Sequence, residues 1–320
     1  LVSLLGNGLL LLLLVHRSGQ SLGNYRFFLM IFALTDIFIS LFHAWFVPLI
    51  FMGRYGYLVV GHNTVVGAGL LRTIASVTYT VTFFIPFALL VLHFIYRLVS
   101  LSRPRVLRRD CGIFGLPNVP YVLYVISHLE RFRTTIRIPL QYYESLFEYG
   151  FISDNRTLNA IGVQYYDEQM RPDYLSIGVI LVAILLGCHT VVISLACIVK
   201  IYAIFSRQVL EIRVRLLHVQ LFRALLIQFS IPALFSLLPI GIIVSLSASG
   251  VSLVHTGNVC SMLASLFPAL DPILMIASNS RFRMTLVDWV HAILGTTARR
   301  NERVAEERSR MYTTIIRQAS

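Results

Sequence analysis

Apolar residues fall in seven long runs, roughly 1–16, 27–50, 73–96, 111–127, 175–199, 220–247 and 258–279, parted by shorter polar segments. In LLGNGLLLLLLV and SIGVILVAILLGCHTVVISLACIV the apolar character is continuous rather than alternating, which argues against a soluble protein with a very large core. At 1.5 Å rise per residue, most runs are long enough to cross about 30 Å of hydrocarbon as helices. The pattern predicts an all-α membrane protein, a bundle of seven transmembrane helices spanning residues 1–293 with a tail at 294–320. Past the seventh run, Phe282, Leu286, Trp289, Val290 and Ile293 recur at helical spacing beside Arg281 and Arg283. That stripe suits a short amphipathic helix over 281–293 lying on the membrane surface; an ordinary stop-transfer flank is the plainer alternative.

The fourth crossing is the weakest, because 111–127 contains Pro117, Asn118 and Pro120. Charge still demands it: the third and fifth runs both end at basic loops, so an opposite passage must lie between them. The segment between the fourth and fifth runs carries Asn155-Arg156-Thr157, a glycosylation acceptor triplet. The first run has no basic leader and no small-residue cleavage site, so it reads as a retained helix. It opens mid-pattern without Met, and residues ahead of Leu1 are expected.

Composition agrees with this layout. The chain is 57% hydrophobic and 13% charged, against about 25% charged in a soluble domain. The net charge of +12 raises a nucleic-acid reading, but its placement argues against one. Twenty of the 27 Lys and Arg residues, against 6 of the 15 acids, fall on the side reached by the carboxyl end. The positive-inside rule therefore predicts an amino terminus outside and a carboxyl terminus in the cytoplasm. Cys111, Cys188, Cys197 and Cys260 sit in or beside the membrane and give no disulfide framework.

Three intramembrane polar residues stand out: Asn7, Asp36 and Asp271. Counted from His16, Arg26 and Arg281, each lies about 15 Å from the cytoplasmic face, so three helices bring polar groups to one depth. A carboxylate facing lipid there is costly, which turns the trio into the bundle. It is either a water- or ion-linked network that changes between two arrangements or a static polar clasp. His93, Phe94, Tyr96 and Arg97 close the third crossing at its cytoplasmic end, where Arg97 either snorkels or acts as a lock that admits a partner. Pro232 and Pro272 remove helical hydrogen bonds near mid-membrane and predict kinks.

Enzyme signals are poor. No HExxH, GxSxG or phosphate loop is present, and His43, His62, His189 and His218 lack metal-ligand spacing. No cofactor or metal is expected. Lys200 is the single lysine and lies in the fifth crossing, so a retinal Schiff base on the seventh is excluded.

Gly6-Asn7, SLGNYRFFLM at 21–30, HFIYR at 93–97 with Pro104 beyond it, LFRALLIQFSIP at 221–232 and LDPILMI at 270–276 together resemble the nematode serpentine chemoreceptors of the Str class (serpentine receptor class r). The resemblance covers the whole chain apart from about 110–140. It implies a rhodopsin-like seven-helix receptor in the membrane of sensory cilia, binding an odorant or other small molecule and activating a heterotrimeric G protein. By this resemblance His93 to Arg97 match the segment replacing the usual Asp-Arg-Tyr triad, and Asp271-Pro272 match the seventh-helix Asp-Pro motif, with Met275 at its usual distal Tyr. Asn7 and Asp36 match the polar positions of the first two helices. The chain departs from the pattern at the fourth helix and in the missing cysteines linking the third helix to the second outer loop.

On that footing the expected ligand walls are His43, Trp45, Tyr79, Thr82, His189 and Ser236. The expected coupling residues are His93, Tyr96, Arg97 and Arg223, with the start of the sixth helix moving away from Arg97. Lipid is the remaining partner, and nucleic acid is not one. An internal peptide or small molecule could replace the odorant. A transporter would require repeats and broken helices, a channel a polar ring, and neither is evident; a structural membrane protein would show no response to any chemical.

Overall fold

The computed structural model describes residues 1–16, 25–62, 69–102, 121, 160–166, 169–207, 212–251 and 256–293. Its helices are α1 (Val2–Val15), α2 (Tyr25–Phe46), α3 (Gly69–Ser102), α4 (Tyr174–Arg207), α5 (Ile212–Pro232), α6 (Leu238–Ala248), α7 (Thr256–Ser278) and α8 (Ser280–Ile293). A π-helical turn, Ala233–Leu237, joins α5 to α6, so the sixth apolar run is one long passage with a widened middle. Among the described residues, five stretches are long and apolar enough to cross a membrane: Tyr25–Phe46, Thr82–Ser102, Tyr174–Ser206, Phe222–Ala248 and Thr256–Ser278. α1 is a shorter apolar helix of 14 residues. The fourth run lies outside the described residues except for Tyr121, as do Asn155 and the tail. Tyr121 is helical and buried, packed with Phe84 and Phe87 of α3 and Val179 and Leu186 of α4.

The outward faces are as apolar as the interior. On α2, Phe27, Ile31, Leu34, Phe38, Leu41 and Trp45 are exposed at steps of three and four residues, while Tyr25, Leu29, Phe32, Asp36 and Phe46 point inward. A protein bathed in water does not present such a stripe on helix after helix, whereas lipid requires it. α3, α4 and α5 run past their apolar stretches at the basic ends. Arg and Ser continue a helix well enough there, so hydropathy marks the hydrocarbon thickness rather than the helix terminus.

One element lies outside the sequence expectation. The second apolar run was read as helix to Ile50, but α2 stops at Phe46 and the chain turns into β1 (Pro48–Gly53), β2 (Gly56–Gly61) and, much later, β3 (Ala160–Gln164). The three form an antiparallel sheet in the order β1-β2-β3, with Pro48 opposite Gly61 and Tyr57 opposite Val163. The switch is enforced locally. Val47 adopts φ +47, a strained value for a β-branched residue, and Pro48 cannot donate the next helical hydrogen bond. Tyr55 turns the hairpin at φ +60, its ring set against Gly250. Gly56 leaves the space that the Val163 carbonyl occupies; a side chain would collide with it.

The sheet sits over one end of the bundle, here termed the sheet end. The Ile50 amide donates to Asn258 Oδ1 of α7 at 2.9 Å, and Tyr165 shares a hydroxyl hydrogen bond with Ser247 of α6 at 3.2 Å. Met52 packs with Ile243 and Cys260, and Val163 and Tyr165 pack with Ile180. Burial at this junction raises the Tyr165 hydroxyl above its ordinary value of 10.0, partly offset by the bond to Ser247.

At the opposite end, which carries Arg97, α8 folds under the bundle. Phe282 is fully buried against Leu10, Leu13 and Leu14 of α1, with Leu286 and Trp289 beside it. Trp289 meets His16 edge-on at 5.4 Å. The expected apolar stripe therefore divides: Val290 is turned about 80° from Phe282 toward the exposed side, and Ile293, in line with Phe282, is exposed at the last residue of the helix.

Candidate functional site

Three groups of side chains lie along the bundle axis. At the arginine end, α3 presents His93, Phe94, Tyr96 and Arg97, all buried. The His93 ring is stacked by Tyr25 at 4.8 Å, Phe32 at 5.2 Å and Phe28 at 5.3 Å, so α2 supplies an aromatic wall along it. Phe28 also lies 4.5 Å from Tyr96. The Arg97 guanidinium stands over the Tyr25 ring at 5.8 Å and is only 4% exposed. Ala224 of α5 and Met275 of α7 belong to the same cluster. Three of the four expected coupling residues thus come together. Arg223 does not join them: it lies on the exposed side of α5, while its neighbours Ala224 and Leu225 face inward.

The second group is the polar trio. Asn7 Nδ2 donates to the Pro268 carbonyl at 2.9 Å and to the Ser3 carbonyl at 3.0 Å, tying α1 to α7. Ser40 donates to the Ser3 hydroxyl at 2.6 Å and brings in α2. Asp36 and Asp271 are buried and close enough for each carboxyl to act electrostatically on the other. The Gln228 side chain of α5 lies beside Asp271 without closing a hydrogen bond of good geometry. Among the described residues, neither carboxyl group receives a hydrogen bond.

The third group lines two adjoining cavities under the sheet. The deeper one, of about 460 Å³, is walled by Ile39, Phe42 and His43 of α2, Tyr79, Thr82, Phe83, Pro86 and Phe87 of α3, Pro232, Ser236 of the π turn, and Ala264 and Phe267 of α7. The shallower one, of about 810 Å³, shares Tyr79, Phe83 and Ala264 with it. It is roofed by Ile50, Tyr57 and Val59 and flanked by Ile180 and Ala183 of α4 and Ile240, Ile243 and Val244 of α6. The lining is aliphatic and aromatic, with His43 and a few hydroxyls as its polar groups. Thr82 spends its hydroxyl proton on the Tyr79 carbonyl at 2.8 Å, and Tyr79 is paired with Ser261. Pro232 and the π turn aim Ser236 into the deeper cavity; π turns recur at functional positions because they re-aim one side chain within a helix.

Four of the six expected ligand walls, His43, Tyr79, Thr82 and Ser236, therefore line one cavity. Trp45 does not: two residues beyond His43 it is turned about 200° around α2, and it is 47% exposed beside Phe42. His189 also lies elsewhere, edge-on to Tyr121 at 5.8 Å, where the Tyr121 and Thr190 hydroxyls are bonded. Sequence reading missed Phe83, Pro86 and Phe87, although with Tyr79 and Thr82 they follow the steps of a single helical face. It also missed Tyr25, whose role depends on a contact between helices. Among the described residues no three His, Cys, Asp or Glu side chains gather as a metal site.

Comparison with known proteins adds an independent line. Residues 1–287 match the family described as serpentine type 7TM GPCR chemoreceptor Str. The chain is 24% identical over 307 residues to serpentine receptor class r-10 of Caenorhabditis elegans, covering 88% of this chain and 86% of that protein. It is 25% identical over 301 residues to serpentine receptor class r-10 of Caenorhabditis briggsae, covering 87% and 84%.

Proposed function

The chain belongs to the Str family of serpentine seven-transmembrane, G-protein-coupled chemoreceptors, a multi-pass membrane family, and on that premise we propose how it senses and signals. A small, uncharged, largely apolar molecule binds in the cavities under the sheet, and a heterotrimeric G protein is activated at the arginine end. The sheet end then faces outward and the arginine end the cytoplasm, in keeping with the bias of basic residues. An odorant at a sensory cilium is the setting that the class suggests.

The observation that carries this reading is the burial of Arg97. At 4% exposure, against the Tyr25 ring, it is shielded from solution, so the arginine end is closed. The ligand cavity lies at the other end, and the π turn with Pro232 stands in the passage that must move. A ligand that packs better against one setting of Ser236 than another shifts an existing equilibrium between closed and open forms. Its apolar surface contributes roughly 25 cal/mol per Å² buried. With Asp36, Asp271 and Gln228 between cavity and arginine, the middle of the bundle has polar groups to exchange as α5 swings. The static clasp remains the competing role for Asn7, Asp36 and Asp271.

The reading is tested with Arg97→Ala at matched surface expression. Ligand-stimulated nucleotide exchange should fall at least tenfold while ligand affinity changes by less than threefold. Equal loss of both removes Arg97 from coupling.

A further inference from the structure

HFIYR has no acidic residue flanking its arginine, so a carboxylate of that segment cannot hold Arg97 in the closed form. The geometry points to Tyr25 instead. We propose that the Tyr25 ring is the resting clasp of Arg97, a cation–π contact from α2 that keeps the arginine end shut. The inference rests on the coupling role given to Arg97 above and names what regulates it.

Four observations converge on Tyr25. Its ring lies 5.8 Å from the guanidinium carbon, inside the range over which an aromatic face attracts a cation. It is itself 3% exposed, so water does not screen the attraction. It is pinned from the side by His93, stacked at 4.8 Å with an interplanar angle of 18°. His93 and Arg97 stand four residues apart on one face of α3, and Tyr25 touches both; its position is thus set by the same helix that it restrains. Finally, Ala224 of α5 packs in this cluster. Moving α5 away opens the cluster to water, which competes for the guanidinium and weakens the hold of the ring.

The measurement uses the full-length receptor in lipid nanodiscs, with Cys111 and Cys188 replaced by serine and a reporter thiol introduced by Ala224→Cys. Ala224 is buried beside the clasp, so the rate of maleimide labelling there reads opening of α5 without any G protein. Tyr25→Leu should raise that rate roughly 5- to 30-fold, the equivalent of a desolvated cation–π contact. Tyr25→Phe, which keeps the π face, should label like the parent. Arg97→Gln should raise the rate as Tyr25→Leu does, and the double variant should add nothing further. Should Tyr25→Leu fold poorly, Tyr25→Met, which also lacks the π face, takes its place and should label faster than the parent by the same factor; parent-like labelling there overturns the clasp. Equal labelling of Tyr25→Leu and the parent overturns the clasp, as does a full additive effect in the double variant. Faster labelling of Tyr25→Leu without a rise in basal nucleotide exchange, for any heterotrimer tried, sustains the clasp and removes the coupling role.

Discussion

Asn7 donates a hydrogen bond to the one carbonyl in α7 that Pro272 has left without its helical partner. Pro272 has no N–H to give to the residue four positions earlier, Pro268, and the Asn7 amide fills that place from α1 at 2.9 Å. Gly6 allows the approach, since a Cβ there would come within 3.0 Å of the Pro272 ring. Between helices in lipid, where apolar surface gains little from association, such bonds and close contacts hold the bundle.

Asn7→Leu should therefore destabilise the receptor by about 1–3 kcal/mol, the cost of an unsatisfied buried acceptor. Thermal unfolding in detergent should show a lower midpoint. An unchanged midpoint would mean that water replaces the amide.

Ser236→Ala and His43→Phe remove polar groups from the deeper cavity. Each should weaken an activating ligand by about 2- to 10-fold if the ligand bonds there. Trp45→Phe, on the exposed side of the same helix, should leave the dose–response curve in place. A larger effect at Trp45 than at His43 would put the binding site elsewhere.

Asp36→Asn separates the two roles left for the polar trio. If the trio changes between arrangements, ligand-stimulated exchange should fall several-fold while thermal stability is kept or raised, because a buried carboxyl without hydrogen bonds is removed. A static clasp predicts the reverse: lower stability with the response per folded receptor intact.

The Tyr165 hydroxyl gives the cap an alkaline limit. Burial raises its ionisation above 10.0, so its contribution is complete below the unfolded value and lost as pH climbs through the higher folded one. Stability measured from pH 8 to 11 should fall at the top of that range, and Tyr165→Phe should flatten that fall. A slope equally steep in Tyr165→Phe would assign it to another group.

Much of the bundle could be read from the chain because lipid imposes one rule on every spanning segment, and a continuous apolar run obeys it visibly. Asn7, Asp36 and Asp271 were legible for the same reason: a polar group in hydrocarbon is rare. The sheet was not, because Leu49, Ile50 and Phe51 are apolar in either conformation and a short run cannot tell strand from helix. The change rests on Val47 and on pairing with β3 about a hundred residues away. Tyr25 resembles an interfacial aromatic until α3 is placed beside it. Trp45 and Arg223 stand next to inward-facing residues in sequence, but the helical turn carries both to the other side.

β3 is made about a hundred residues after β2, and it completes the sheet from the middle of the chain. During synthesis the early hairpin must wait with one edge of β2 unpaired while α3 and the segment beyond it are laid down. Contacts so distant in sequence form slowly, and exposed strand edges invite wrong partners in the meantime. The roof over the two cavities is thus closed late, once α6 and α7 are in place to receive Tyr165 and Ile50. A receptor that leaves the site of synthesis with its chamber closed has passed a test that its helices alone do not impose.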